Sequence, residues 1–405
     1  MKKKIVLIII DGLGDRPLPE LEDKTPLESA KTPNLDNLAQ KGTCGLVEVF
    51  KSPGDIPHSD TAHLALFGYD PNICYLGRGP YEAAGLGIEL EKGDIALRAN
   101  FATVDKDLKV IDRRAGRIQD TLELIETISQ IKIKGADILI KKSYGHRAVL
   151  ILRGENLSSF ITDGDPGKVE KRVNKVIPLP TCPPEESEKA EFTAKVLNDF
   201  LEKSHSVLEN HPLNEKRRKA GLFVANFLLV RGAGKFKETP SFKEKYNLNA
   251  CFVAGGALYK GIARILGMEE TPVEGATGFV KTNLQGKIQA VKDSLVKFDF
   301  VFCHIKATDS LSEDGDFIRK KEFIEKIDEN LEPILNLKDT LIVVTADHST
   351  CCILKRHCKD PVPLLIYGAG SDEVKQFSEK ACKKGKLGKI KQLDLMRKII
   401  ELAGR

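Results

Sequence analysis

Short and almost uninterrupted apolar runs predict buried strands at several places in the chain. Residues 2–15 read KKKIVLIIIDGLGD, where the run from Ile5 to Ile10 stops at Asp11 and a glycine turn. Later runs, FDFVFCHIKATD and DTLIVVTADH, end close to Asp309 and Asp347. Strands that are apolar on both faces are typical of parallel sheets covered by helices. Their alternation with helix-like segments predicts an α/β fold with a doubly wound, mostly parallel sheet.

The ends of these runs indicate where a ligand would bind. Each of the three runs delivers an aspartate just beyond its carboxyl end, and in open α/β sheets that edge is the usual ligand-binding edge. Other apolar runs are followed by glycine turns, and we assign them to the same sheet domain: FVANFLLVRGAG, NACFVAGGALYKGIARILG and VPLLIYGAG.

Residues 76–215 show a different pattern. Their strands are shorter and alternate with polar residues, as in IALRANFATV and HRAVLILRG, and the Pro-rich PLPTCPPEESE precedes a charged helix. We therefore predict an inserted α+β cap over 76–215, and a core domain built from 1–75 and 216–405.

The composition is that of an ordinary folded protein. Of the 405 residues, 41% are hydrophobic and 30% are charged, and the net charge of +5 is spread over many segments. Such a charge suits anionic small molecules and does not indicate a nucleic-acid or membrane partner. The apolar run near the N-terminus is too short for a membrane span or a signal peptide, so we predict a cytoplasmic protein. The oligomeric state is not determined.

The nine cysteines lie mostly in apolar contexts, and none of them has the CxxC spacing of a zinc site. We therefore expect reduced thiols, with disulfides or a thiolate metal site as the alternatives.

A set of acids and histidines gathers at the predicted strand ends. Carboxylate oxygens and neutral imidazole nitrogens are ligands for hard or borderline divalent cations. Any one of these residues alone would be an ordinary helix cap, turn former or surface histidine. Their joint position predicts a metal centre formed by Asp11, Asp309, Glu313, Asp347, His348 and His357.

Ser59 begins the segment SDTAHLALFGYDP. Its simplest role is the N-cap of the helix that follows. A serine at a helix N-terminus beside cations is also a suitable nucleophile, because coordination lowers the pKa of its hydroxyl and the helix end offers N–H groups to a phosphate.

Several long motifs resemble one enzyme family over almost the whole chain. The stretches IIIDGLGDRP, TPNLDNLAQKG, HSDTAHLALFGYDP, GRGPYEAAGLGIEL, DRRAGRI, VEGATG and TADHST are similar to those of archaeal-type cofactor-independent phosphoglycerate mutases of the alkaline phosphatase superfamily. The resemblance implies a core of alkaline-phosphatase type and the interconversion of 3- and 2-phosphoglycerate through a phosphoserine. It also implies two divalent cations, Mn²⁺ or alternatively Mg²⁺, and no 2,3-bisphosphoglycerate.

The resemblance also implies roles for individual residues. Ser59 matches the nucleophile and a metal ligand, Asp11, Asp347 and His348 match the ligands of the cation beside it, and Asp309 and His357 match ligands of the other cation. The family pattern D-x-x-G-H-D reads DSLSED here, so Glu313 replaces a ligand histidine. A glutamate four residues after Asp309 can reach the same ion from one helical turn. The alternative is a surface glutamate beside a weakened or absent second site.

The predicted cap should supply positive charge, since phosphoglycerate carries a phosphate and a carboxylate and arginine pairs with both. Our candidates are Arg113, Arg114, Arg117, His146 and Arg147, each of which has a solvated surface charge as its alternative. The cap should also close over the site, because water reaching a phosphoserine would turn the mutase into a phosphatase.

Two other functions stay open at this point. One is a metal-dependent phosphatase or another phosphomutase of the same superfamily, in which the cap pocket decides the substrate. The other is a non-catalytic metal-binding homologue that lost its second ion through Glu313.

Overall fold

The structure is a computed structural model that describes residues 2–51 and 56–405. Its strands are β1 (Lys4–Ile10), β2 (Thr43–Glu48), β3 (Ile95–Val104), β4 (Val110–Asp112), β5 (Asp137–Lys142), β6 (Arg147–Arg153), β7 (Phe227–Lys235), β8 (Ala250–Val253), β9 (Glu269–Glu270), β10 (Phe300–Ile305), β11 (Thr340–Thr345), β12 (Ser349–Cys351), β13 (Arg356–Cys358), β14 (Val362–Tyr367) and β15 (Gly388–Lys391).

The helices are α1 (Pro26–Ser29), α2 (Pro33–Lys41), α3 (Ser59–Leu66), α4 (Pro71–Cys74), α5 (Arg78–Gly85), α6 (Leu122–Ser129), α7 (Ser187–Glu209), α8 (Pro212–Lys219), α9 (Phe242–Tyr246), α10 (Ala257–Ile265), α11 (Leu284–Ser294), α12 (Ala307–Asp314), α13 (Phe317–Glu329), α14 (Glu379–Cys382) and α15 (Gln392–Leu402). Among the described residues, no helix combines the length and apolarity that crossing a bilayer requires.

The chain divides into a core unit, residues 1–75 and 239–405, and an inserted unit, residues 76–238. Residues 216–238, which we expected in the core, belong to the inserted unit. The reason is strand pairing, because β7 lies antiparallel to β3. An apolar run such as FLLV fits the interior of either sheet, so its pattern alone does not choose between them.

The core unit contains an eight-stranded sheet in the order β15-β2-β14-β11-β1-β10-β8-β9. Strand β1 lies parallel to both β10 and β11, and Ile5 to Ile10 are completely buried. Strand β14 runs antiparallel to β11 and β2, so VPLLIY is not one of the parallel strands. The predicted α/β class with a mostly parallel sheet is confirmed.

The inserted unit is built on a five-stranded antiparallel sheet in which β3 pairs with β4, β6 and β7. Leu197 and Phe200 of α7 are buried in one apolar cluster with Leu228 of β7. Antiparallel strands covered by separate helices are an α+β arrangement, the class that the alternating strand pattern predicts.

Candidate metal centre and nucleophile

Three neighbouring strands bring the predicted aspartates to one edge of the core sheet. Strand β1 is flanked by β10 and β11, and all three run in the same direction. Asp11 follows β1 directly, Asp347 lies two residues after β11, and Asp309 lies in the first turn of α12. All three carboxylates are buried.

Gly12 allows these segments to approach each other closely. It has φ +64°, and a Cβ atom there would lie 2.8 Å from the Cα atom of Asp309 and 2.7 Å from the Thr350 hydroxyl. Its backbone N–H donates to Asp347 Oδ1 at 3.1 Å. A side chain at this position would therefore push the aspartate-bearing segments apart.

The first ligand group consists of Asp11, Asp347 and His348, whose ligand atoms lie within 4.8 Å of one another. His348 Nε2 is 3.2 Å from Asp347 Oδ2 and 3.7 Å from Asp11 Oδ1. The Ser59 hydroxyl lies 3.2 Å from the same nitrogen. Ser59 is the first residue of α3 and not its N-cap, and its side chain faces this group.

The second ligand group consists of Asp309, His348 and His357. His357 Nε2 lies 3.4 Å from Asp309 Oδ1 and 3.8 Å from Glu313 Oε1. The Glu313 side chain is 54% exposed, so it stands at the rim of the site. The structure thus places Glu313 beside the group but leaves it room to turn toward water.

Hydrogen bonds orient both histidines so that Nε2 faces the acids. His357 Nδ1 is 2.8 Å from the Pro57 carbonyl, to which it donates. His348 Nδ1 is 3.1 Å from the Thr350 hydroxyl, which in turn donates to Asp309 Oδ1 at 2.6 Å. A neutral imidazole that donates from one nitrogen presents the lone pair of the other, as metal-binding histidines do, and His348 is in this state. Burial opposes charge on His357, but the Asp309 carboxylate raises its pKa to about 9, so His357 must lose a proton before Nε2 can bind a metal.

The protonation states also suit a cation. Burial raises the pKa of Asp347, and the neighbouring Asp11 carboxylate adds to this effect. Burial would also raise the pKa of Asp11, but the Lys306 ammonium and a hydrogen bond with His304 hold it well below its usual value. Burial lowers the pKa of His348 to about 3, so this imidazole is neutral at pH 7. Asp347 therefore lacks enough positive charge around it to ionise readily, and a bound cation would supply that charge.

Two carboxylate oxygens give the most direct test of whether a cation fits. Asp11 Oδ1 and Asp347 Oδ2 are buried and have no hydrogen-bond partner among the residues that the structure describes. A buried carboxylate oxygen without a donor is costly unless a cation binds it. Both oxygens belong to the first ligand group, so the donor set fits a divalent cation.

Four residues of this site were not among the sequence candidates. The Tyr259 hydroxyl donates to Asp11 Oδ2 at 2.5 Å, and His304 Nε2 lies 3.1 Å from the same oxygen. His63 Nδ1 is 2.7 Å from the Ser59 carbonyl, and Lys306 Nζ is 2.5 Å from Asp309 Oδ2. His63 stands one helical turn after Ser59, a spacing that the sequence shows, whereas Tyr259 carries no local signal.

The cysteine expectation was wrong for one pair. Cys351 and Cys358 form a disulfide between β12 and β13. The seven other cysteines are free thiols. The bonded cysteines are seven positions apart in the sequence, and only the strand pairing shows that their side chains meet.

The basic residues that the sequence suggested as substrate ligands lie in the inserted unit, and they differ in their surroundings. Arg113 forms a two-pronged ion pair with the buried Asp165, at 2.6 and 3.2 Å. Arg114 and Arg117 are exposed. Burial lowers the pKa of His146 to about 4, with Arg147 and Arg114 adding to the effect, so His146 is neutral at pH 7.

An arginine cluster that the sequence did not reveal lies on the same sheet. Arg98 of β3 stands directly opposite Arg231 of β7, which also pairs with Asp165. Burial lowers the pKa of Arg98 to about 10, and the nearby Arg78, Arg231 and Arg147 add to this effect, while Glu82 opposes it. Like charges directly opposite each other weaken a sheet, which suggests an anionic ligand.

Comparison with known proteins decides the family. The family model described as the metalloenzyme superfamily matches residues 3–402. The chain is 47% identical to the 2,3-bisphosphoglycerate-independent phosphoglycerate mutase 1 of Archaeoglobus fulgidus, with 98% of this chain and 97% of that protein covered. It is 45% identical to the enzyme of the same name from Methanocaldococcus jannaschii, with 100% and 98% covered.

The chain belongs to the family of 2,3-bisphosphoglycerate-independent phosphoglycerate mutases within the metalloenzyme superfamily. Among solved structures, the cofactor-independent phosphoglycerate mutase of Thermoplasma acidophilum is 37% identical, with a TM-score of 0.74 over 99% of this chain and 100% of that one. A protein from Pyrococcus horikoshii is 36% identical, with a TM-score of 0.86 over 100% and 98%.

Glu313 is the residue of this site at which the sequence resemblance implies a ligand histidine instead. The acid lies on α12 four residues after Asp309, at the histidine position of the pattern D-x-x-G-H-D that the resemblance implies. Burial raises the pKa of Glu313, and the adjacent Asp309 carboxylate raises it further. A cation bound nearby would offset the repulsion between the two carboxylates and lower the pKa of Glu313, so the position is compatible with a ligand role.

Proposed function

We propose that this chain interconverts 3-phosphoglycerate and 2-phosphoglycerate without 2,3-bisphosphoglycerate, as an isomerase with a phosphoserine at Ser59. The observation that carries the proposal is the Ser59 hydroxyl, which lies 3.2 Å from His348 Nε2 beside the buried Asp11 and Asp347. Relatives that match almost the whole chain bear the mutase name.

The residues around Ser59 prepare it for attack. Its place at the start of α3 directs the helix N–H groups and the positive end of the helix dipole toward an incoming phosphate. His63 donates to the Ser59 carbonyl and so fixes the first turn of the helix. As the bond from the serine oxygen to phosphorus forms, the bond from phosphorus to the glycerate oxygen breaks, and the proton lost by the serine hydroxyl ends on that glycerate oxygen. The second half of the reaction returns the phosphoryl group to the other hydroxyl of glycerate.

We propose that Asp11, Ser59, Asp347 and His348 hold one divalent cation, and that Asp309, Glu313 and His357 hold a second. When bound, the cations would lower the pKa of the serine hydroxyl and neutralise the phosphate oxygens. The donors are carboxylates and imidazoles without thiolates, which favours Mn²⁺, with Mg²⁺ as the alternative.

The arginine cluster of the inserted unit is the proposed site for substrate anions. Arg98 and Arg231 face each other across β3 and β7, and Arg113 is held by Asp165. Guanidinium groups pair with carboxylates through two parallel hydrogen bonds. We include Arg147 in this proposed site because it lies near Arg98. For Arg114, Arg117 and His146, substrate binding stays a prediction. The cytoplasmic location and the absence of a nucleic-acid or membrane partner stay predictions as well.

Replacing Ser59 by Ala tests the proposal. We expect a loss of mutase activity of at least 1,000-fold, because no other group can carry the phosphoryl. The melting temperature should hardly change, since the hydroxyl caps no helix. Thr61→Val is the matched control, because it removes a hydroxyl two residues further along the same helix. One tenth of the activity in a normally melting Ser59→Ala variant would rule out the phosphoserine.

Two assays separate the alternatives. Release of free phosphate from phosphoglycerate, measured beside mutase turnover without 2,3-bisphosphoglycerate, identifies a phosphatase. Counting manganese per chain after dialysis identifies a non-catalytic homologue with a single site. We expect turnover with little phosphate release, and two manganese ions per chain.

A further inference from the structure

The segment that carries His348 and His357 is a small hairpin with little stability of its own. We call residues 348–358 the histidine hairpin. Its strands, β12 and β13, have three residues each and pair with each other in a two-stranded sheet, and Ser349 of β12 also forms isolated bridges with Leu13 and Gly14. Thr350 stands opposite His357 in this pairing. A two-stranded ribbon is at best marginally stable in water, so other contacts must hold the hairpin.

The β12 side is firmly held by the core unit. Ser349, Thr350 and Cys351 are at most 1% exposed. The Thr350 N–H donates to the Gly14 carbonyl at 3.0 Å, and the buried Lys320 ammonium donates to the Thr350 carbonyl at 3.1 Å. His348 therefore starts from a rigid strand.

The β13 side has much weaker support. Arg356 is exposed, His357 is half-buried, and Ile353 in the intervening turn is 62% exposed. Besides the hairpin bonds, His357 has the Pro57 carbonyl, Asp309 and Glu313 as polar partners, and its ring stacks on His348 with the centroids 3.8 Å apart. Lys355 in the turn adopts a left-handed conformation with φ 52°, which is unfavourable for a lysine, so the turn itself adds little to the stability of the hairpin.

The disulfide supplies the missing connection. Cys358 follows His357 directly, and Cys351 follows Thr350 on the rigid strand. We propose that the Cys351–Cys358 disulfide positions His357 for the second cation by fixing β13 to β12. This inference rests on the metal centre of the proposed function. The bond does not touch substrate, so its role is positioning and not catalysis.

A different use of the same atoms is a thiolate metal site. Cys351, Cys358 and Asp360 lie close enough together to form a ligand group. Both sulfurs are engaged in the disulfide, so neither is a thiolate. Cys351 and Cys358 are at most 7% exposed, which protects the bond from large reductants.

Reduction provides one way to remove the connection. Dithiothreitol donates two electrons and two protons, its own sulfurs close to a cyclic disulfide, and the protein bond becomes two thiols. Replacing both cysteines by serine also removes the disulfide, and it leaves no free thiols at these positions. Manganese is a hard cation, so residual thiols in the reduced protein compete little for it.

The test is a manganese titration of the dialysed full-length protein in four forms: wild type, Cys351→Ser/Cys358→Ser, His357→Ala, and the combination of all three substitutions. We expect the double serine variant to bind one ion about 10-fold more weakly or worse, the scale seen when support of a metal ligand is lost. The other ion should change by less than about twofold. In the His357→Ala background the serine substitutions should have no further effect, because coupled residues are not additive.

Cys352→Ser is the matched control, since it removes a free buried thiol from the same hairpin and should leave both affinities unchanged. If the double variant does not fold, wild type reduced with dithiothreitol and freed of reagent under nitrogen replaces it. Normal affinity without the disulfide, or weakening that persists in the His357→Ala background, overturns the positioning role alone. A His357→Ala protein that still binds two ions normally overturns the metal centre as well.

Discussion

Lys306 is the one lysine that contacts a carboxylate from each ligand group among the described residues. Its ammonium lies 2.5 Å from Asp309 Oδ2 and 3.3 Å from Asp11 Oδ2. The residue stands in HIKATD, three positions before Asp309, and local sequence gives no reason to single it out. A cation at this point competes with metal ions for the same oxygens, since like charges repel at such short distances.

We predict that Lys306→Met binds manganese more tightly than wild type, by about 10-fold, which corresponds to about 1.4 kcal/mol. The apo protein would lose the charge that balances Asp11 and Asp309, so a metal ion gains more on binding. Isothermal titration of dialysed protein measures the affinity. Lys260→Met is the control, because Lys260 pairs with Glu270 at 2.6 Å and contacts neither ligand group. Equal or weaker manganese binding by Lys306→Met would contradict the competition.

Glu313 yields the second prediction at this scale. If its carboxylate binds the second cation, Glu313→Ala should weaken one manganese site about 10-fold or more and lower mutase activity. Glu313→Gln should do the same to a smaller degree, and Glu313→His should restore binding with a shifted metal preference. Asp314→Asn, a neighbouring exposed acid on α12, serves as the control. Two ions bound with unchanged affinity by Glu313→Ala would make this glutamate a bystander.

At the scale of the elements, β3 is the strand whose composition conflicts with its position. It is buried along most of its length, yet it carries Arg98 opposite Arg231. Two guanidinium groups side by side repel each other in the absence of an anion. Asp165 and Glu82 offset part of this charge through their ion pairs. The remaining positive charge is the reason for proposing that this sheet binds the anionic groups of the substrate.

We therefore predict that Arg98→Met raises KM for phosphoglycerate by about 10-fold or more, while stability stays equal or increases as the repulsion is relieved. Steady-state kinetics and thermal melting measure the two effects. Arg153→Met is the contrasting control, because Arg153 of β6 pairs with Asp94 at 2.7 Å and should lose stability with KM unchanged. A normal KM in Arg98→Met would show that the anionic groups of the substrate bind at another site.

For the whole molecule, the division into two units separates two kinds of ligand. The candidate metal ligands all lie in the core unit, and the arginine cluster lies in the inserted unit. A ligand stabilises the unit that binds it by mass action. Metal alone should therefore protect the core unit and leave the inserted unit unchanged.

We predict that manganese at about 100 times its dissociation constant stabilises the dialysed protein by about 2.7 kcal/mol. For a unit of this size the melting temperature should rise by about 5–10 °C, and a chelator should reverse the rise. Hydrogen exchange should slow beyond the carboxyl ends of β1, β10 and β11 and hardly change in β3, β6 and β7. Asp347→Asn should remove much of the effect. Slower exchange mainly in the inserted unit would contradict the assignment of the metal ligands.

The sequence by itself determined the features that depend on local pattern. The runs before Asp11, Asp309 and Asp347 are apolar on both faces, and only a covered sheet buries such strands. Because parallel strands place their carboxyl ends at one edge, the gathering of these three aspartates was predictable without coordinates. The sequence also indicated Ser59 as the candidate nucleophile, from its motif and from the helix that it begins.

The tertiary structure decided everything that depends on which distant segments meet. Strand β7 is apolar enough for either sheet, and only its pairing with β3 placed residues 216–238 in the inserted unit. The same pairing put Arg98 opposite Arg231, and the hairpin register brought Cys351 to Cys358. Hydrophobic periodicity reports which face of a segment is buried and not what covers it, so such contacts are settled only when the whole chain packs.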